Sequence, residues 1–109
     1  MKIEDVAFCV TEWDRIEKVE HPGTSGKAYW RTQEFGNVRV RFVEYTAGYV
    51  ADHWCKRGHV LVVLEGELIT ELEDGRVFTL LPGMSYQVSS DVNAHRSRSE
   101  IGAKLFIVD

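Results

Sequence analysis

The stretch "GYVADHWCKRGHVLVVLEGEL", residues 48–68, decides how this chain is read. Two histidines and a cysteine (His53, Cys55, His59) fall within seven residues, and an apolar run and a Glu-Gly-Glu turn follow. In an extended strand, residues two apart share a face. His53 and Cys55 are therefore expected on one face, with Asp52 and Trp54 on the other. Lys56-Arg57-Gly58 is expected to reverse the chain, so that His59 opens a partner strand and returns beside the first two. Two imidazoles and a thiol converging in this way suit a borderline-soft divalent metal. Surface histidines flanking a small buried cysteine would look the same at this level. So would a thiol–base pair between Cys55 and either histidine.

Working outward, the chain from Lys27 reads as strands. Val38, Val40 and Phe42 alternate with Arg39, Arg41 and Val43 in "NVRVRFVEY" (37–45), a period of two. This pattern places the first three toward a core and the two arginines on a solvated face; facing inward instead, Arg39 and Arg41 could bind a carboxylate. "ELITELE" meets "RVFTLL" across Asp74-Gly75, a strong hairpin dipeptide. "MSYQV", "HRSRS" and "KLFIVD" complete the series, with turns at Pro82-Gly83 and Ile101-Gly102. About eight short strands at regular spacing predict an all-β sandwich or barrel. Residues 1–26 read as an N-terminal arm or edge strands. "TEWDRIEKVE" suits one helical turn or an edge strand, with Trp13, Ile16 and Val19 as packing residues. "HPGTSGK" reads as a loop with a solvated His21.

Composition bounds the rest. The 109 residues suit one domain. A formal net charge of −4 argues against nucleic acid, which calls for a basic surface. Two distant cysteines make no disulfide framework. The N-terminus lacks the basic-then-apolar pattern of a signal peptide, and no apolar run is long enough to span a membrane. The expectation is a cytoplasmic protein with reduced thiols.

The spacing resembles the first motif of the cupin superfamily: a glycine, His-x-His, a carboxylate after three or four residues, and a second glycine six residues later. Here His53 occupies the first ligand position and Cys55 the second. His59 stands at the carboxylate position after three residues, and Gly66 follows six residues later. Gly48 lies one residue closer to His53 than the pattern asks. The second motif, a glycine, five residues, Pro-x-Gly, two residues and a histidine, fits in two registers. From Gly75 the histidine position falls on Tyr86; from Gly83, His95 arrives one residue late. The second register is preferred because it keeps the hairpin around Asp74-Gly75 whole. The resemblance spans residues 37–109 and is closest to small single-domain cupins with an Asp-His-Trp-Cys signature, Asp52 to Cys55 here. It implies a conical, jelly-roll-like β-barrel, a metal within it, and a homodimer.

On that resemblance the ligand set is His53, Cys55, His59 and His95. Sulfur in place of a carboxylate shifts preference toward Zn, Ni or Cu, with Fe still allowed. Four protein ligands on a tetrahedral ion would close the site, leaving a structural or sensing role. Three would leave a position for a small-molecule ligand and Lewis-acid or oxygen chemistry. Whether the protein is an enzyme, a sensor or a non-catalytic β-barrel binder stays open at this level. Tyr86 is a further pocket candidate, equally readable as a barrel-filling aromatic. Arg96 and Arg98 alternate with His95 and are expected to point outward. Trp30 and Trp54 suit a dimer contact or packing.

Overall fold

The computed structural model describes residues 2–109 and contains ten strands and one short 3₁₀ turn, Trp13–Arg15. The strands are β1 (Val19–Pro22), β2 (Lys27–Phe35), β3 (Val38–Tyr45), β4 (Tyr49–Val50) and β5 (His59–Gly66). They continue as β6 (Leu68–Leu72), β7 (Val77–Leu80), β8 (Ser85–Val88), β9 (His95–Ser99) and β10 (Ala103–Val108). All named pairings are antiparallel. One sheet runs β1-β2-β3-β10-β5-β8 and the other β4-β9-β6-β7. Hydrogen-bonded ladders do not join the two into a ring among the described residues; Ser25 and Val50 make one isolated bridge between them.

The inner faces pack on each other. Val43, Leu61, Val63, Leu68 and Leu105 are within 1% of complete burial and draw from both sheets. Each such side chain contributes about 1.5–3 kcal/mol when fully buried. Between β5 and β6 the chain crosses from one sheet to the other at Gly66-Glu67. Gly66 holds φ at +77°, and a Cβ placed there would stand 2.0 Å from the Gly102 carbonyl oxygen. The Glu67 amide donates to that same oxygen, and the Ser99 hydroxyl donates to the Glu67 carbonyl. The β6–β7 hairpin turns at Asp74-Gly75 as its dipeptide requires, with Gly75 at φ +97°.

Three local expectations are corrected. First, residues 48–68 do not form a hairpin. β4 stops at Val50, the chain bends at Asp52-His53, and β4 and β5 belong to different sheets. The strand period therefore does not apply to His53 and Cys55.

Second, β3 presents its other face to the interior. Arg41 is 6% exposed and Val43 fully buried, whereas Val38, Val40 and Phe42 face the opposite side. Phe42 is covered there by Trp13, whose ring lies 6.3 Å from Phe42 and 5.9 Å from Phe106 of β10. The apolar alternation thus marks a face sheltered by the N-terminal segment. Residues 2–4 of that segment are tied to Asn37 at the β2–β3 turn, where the Asn37 amide donates to the Lys2 carbonyl and accepts from the Glu4 N–H.

Third, His21 belongs to β1 and stacks on Trp30 at 4.0 Å instead of standing in a solvated loop. "TEWDRIEKVE" supplies both the single helical turn and the start of the edge strand β1.

Candidate metal centre and its cavity

Cys55 reaches the interior by backbone pairing. Its N–H donates to the His95 carbonyl (2.7 Å), and the His95 N–H donates back to the Cys55 carbonyl (3.0 Å). Residues exchanging both hydrogen bonds sit directly opposite, with side chains on the same face. The thiol is thereby set beside the His95 imidazole. His59 opens β5 in the facing sheet and shares its inward face with Leu61 and Val63. Its ring lies edge-on to His95, with centroids 4.8 Å apart.

Donor atoms of Cys55, His59 and His95 all lie within 4.8 Å of one another. His59 is 9% and His95 3% exposed. The Nδ1 of His59 and the Nε2 of His95 are buried without a hydrogen-bond partner. An unpartnered buried nitrogen costs on the order of 1–3 kcal/mol. Two of them beside a sulfur are therefore the donor set a divalent ion would satisfy. Fewer than four protein donors leave a coordination position free.

His53 is placed differently. Its side chain is 66% exposed, and its Nδ1 lies 2.7 Å from the Asp52 carboxylate. It borders the cavity but lies outside the three-residue donor group. Both second-motif candidates reach the site. His95 is in the donor group, and the Tyr86 hydroxyl shares a 2.8 Å hydrogen bond with His59 Nε2. Burial pushes the Tyr86 phenol well above its usual range, so the hydroxyl stays protonated; with His59 Nδ1 left as the lone-pair nitrogen, His59 Nε2–H donates to the Tyr86 oxygen.

The neighbouring His95 imidazole pulls the Cys55 thiol below its ordinary value, against the opposing effect of burial. Cys55 raises His95 in return. In metal-free protein carrying Cys9→Ser, alkylation of Cys55 by iodoacetamide is expected to reach half its maximal rate below the ordinary thiol pKa of about 8.5. His95→Gln should move that midpoint up. An unmoved midpoint would show that His95 does not act on the thiol.

The cavity holding these residues has a volume of about 280 Å³. One wall, made of Arg39, Arg41 and Arg57, was not anticipated from the sequence; the carboxylate they share belongs to Asp109, which does not itself line this cavity. Asp109, following β10, is fully buried at its side chain and takes a bidentate fork from Arg39, with Nε and Nη2 each at 2.9 Å. Arg41 Nη2 adds a bond at 3.0 Å, and Arg57 Nε stands 3.3 Å away. The arginines expected on a solvated face thus line the interior. Burial pushes the Asp109 carboxyl up. The hydrogen bonds from Arg39, and the charges of Arg41 and Arg39, outweigh it and hold the group well below the usual carboxylate range. The signal available in the sequence was an arginine pair at strand spacing; nothing local marked Asp109 as its partner.

Arg96 and Arg98 do not stand free in solvent. Both bind Glu71, at 3.1 and 2.7 Å, and Arg96 also lies 4.6 Å over the Trp54 ring. Trp30 packs within the chain, under Arg41 at 4.4 Å. Beyond Tyr86 and His95 a second cavity of about 220 Å³ is lined mainly by apolar side chains such as Leu72, Phe78 and Leu80.

No protein-family model matches the chain, and no curated protein matches it by sequence. Solved structures do. Ectoine synthase from P. lautus superposes with a TM-score of 0.75 at 17% identity, over 93% of this chain and 76% of that one. Fe(II)-HppE with the alternative substrate (S)-1-HPP gives a TM-score of 0.77 at 15% identity, over 99% of this chain and 62% of that one. An RmlC-like cupin from Shewanella frigidimarina NCIMB 400 gives 0.71 at 21% identity, over 95% and 91%. Likeness at these identities is likeness of fold.

Proposed function

We propose that this chain, which has the cupin fold, holds one divalent transition metal through Cys55, His59 and His95 and presents it to a small molecule in the adjoining cavity. The two sheets then act as the walls of a conical barrel, with all of residues 1–109 as one domain. The observation carrying the reading is the convergence of the three donors within 4.8 Å, with two buried imidazole nitrogens lacking any protein partner. Two imidazoles and a thiolate suit Zn or Ni, and Fe remains compatible. A bound ion of this kind supplies Lewis acidity, or redox capacity if it is Fe. The chain's own residues supply the rest. Tyr86 orients the His59 ring through its hydroxyl, and the sheet interior excludes bulk water. The three-donor count favours a site that admits a ligand, for catalysis or for sensing.

Metal analysis of protein purified without added metal tests this directly. About one equivalent is expected in wild type, as for a tight cupin-like site. Cys55→Ser and His95→Ala should each weaken retention by on the order of a hundredfold, while His53→Ala should change it by less than about threefold. Wild-type protein reproducibly free of metal, or a Cys55→Ser variant with unchanged affinity and spectrum, would overturn the reading. Size-exclusion chromatography with light scattering tests the homodimer proposed on the fold resemblance.

A further inference from the structure

Arg39, Arg41 and Arg57 converge on one carboxylate side chain, that of Asp109. The fork from Arg39 alone would pair that carboxylate, since it already gives one donor to each oxygen. Arg41 and Arg57 are in excess. Arg41 is 6% exposed, gives Asp109 a single hydrogen bond, and keeps its Nε buried without a partner. Arg57 is half exposed at the cavity rim. The other arginine bordering the cavity has a partner of its own: Arg96 binds Glu71.

Clustered cationic groups withdrawn from water are unfavourable unless countercharge is supplied. A guanidinium with unspent donors is shaped to receive an oxyanion through charge-assisted hydrogen bonds. The cluster also adjoins the metal donors, because Asp109 Oδ2 lies 3.8 Å from His59 Nδ1. From this juxtaposition we infer that the cavity binds the oxyanion head group of a small organic acid, with Arg41 as its principal partner and Arg57 at the entrance. The inference rests on the cavity being a ligand site, as proposed above, and it extends that reading by naming the ligand's chemical class. Trp30 lies beneath Arg41 and fixes its plane by cation–π contact, which leaves the guanidinium little freedom to turn away.

The test uses full-length protein, metal-free and metal-loaded, titrated calorimetrically with pyruvate, succinate and methylphosphonate. Propionamide serves as the neutral control. At least one acid is expected to bind at millimolar concentration or below, at least about tenfold more tightly than the amide. Binding by carboxylates alone, or by the phosphonate alone, identifies the head group, and either supports the proposal. Arg41→Gln should weaken binding by about tenfold or more, and Arg41→Lys should recover part of it. Should Arg41→Gln not fold, Arg57→Gln at the more exposed position takes its place, with a loss of about threefold or more expected. Arg76→Gln, at a position paired with Asp74 outside this cavity, should leave binding unchanged.

Failure of every acid to bind, equal affinity for acid and amide, or indifference to both Arg41→Gln and Arg57→Gln would overturn the inference. Metal content measured on the same samples keeps the two readings apart. Acid binding without metal retention would sink the metal centre alone, and metal retention without acid binding would sink the anion site alone.

Discussion

Asp109→Asn is expected to destabilise the fold by about 3–5 kcal/mol at neutral pH, the range for removing one partner of a buried ion pair. The substitution keeps shape and volume, so packing is almost unchanged. What it removes is the carboxylate side chain on which Arg39, Arg41 and Arg57 converge. Arg41 then remains almost fully buried with no carboxylate partner. The pH dependence separates this from a generic packing defect. The Asp109 carboxyl is held below its unfolded value, so its contribution is fully present above the unfolded pKa of about 3.9. That contribution is lost as pH falls from there toward the folded value. Urea unfolding curves of wild type and variant should therefore differ most at pH 6–7 and converge as pH drops through about 4 toward 2. The difference between the two curves isolates Asp109 from Glu71 and Asp74, whose carboxyls their arginine partners also depress. A constant gap across that range, or no gap at neutral pH, would show that the cluster does not depend on this charge.

Gly66→Ala is expected to cost on the order of 4 kcal/mol, combining positive φ with a backbone clash. The added methyl would overlap the Gly102 carbonyl, and that oxygen cannot retreat without breaking its bond from the Glu67 amide. Gly75→Ala is the control. Gly75 also has positive φ, but a Cβ there meets nothing within 4 Å. Its cost should be only about 1–2 kcal/mol, the conformational part alone. The comparison needs only chemical denaturation of the two variants. Equal losses would mean that the sheet-to-sheet crossing tolerates the extra atom.

Much of this architecture was legible in local chemistry. Asp74-Gly75 marked its hairpin because the three-residue loop between Leu72 and Arg76 ends on a residue at positive φ, which Gly75 provides. The Gly66 spacing pointed to the cupin fold because a glycine is sterically required at that crossing. The face of β3 was misread for a definite reason. Period two tells which residues share a face, but not which face turns inward. Phe42, on the face that carries Val38 and Val40, lies under Trp13. Arg41 is tolerated inside because Asp109, 68 residues away, lies beside it. No local pattern can report a partner at that distance. The neighbourhood of Cys55 and His59 was legible from the motif spacing, although the route was not. The proposed hairpin is a crossing between sheets, and Cys55 owes its position to pairing with His95 instead of to its alternation with His53.

That pairing has a consequence for how the site can change. Cys55 and His95 are registered by two main-chain hydrogen bonds, which any residue except proline can make. The side chain at position 55 is thus free to vary while its anchorage stays put. A single codon change placing histidine or glutamate there would exchange a soft donor for a harder one without rebuilding the scaffold. On the metal site proposed above, selectivity among elements would therefore be evolvable at this position independently of foldability. The same two bonds that hold a sulfur today would carry a nitrogen or an oxygen to the same place.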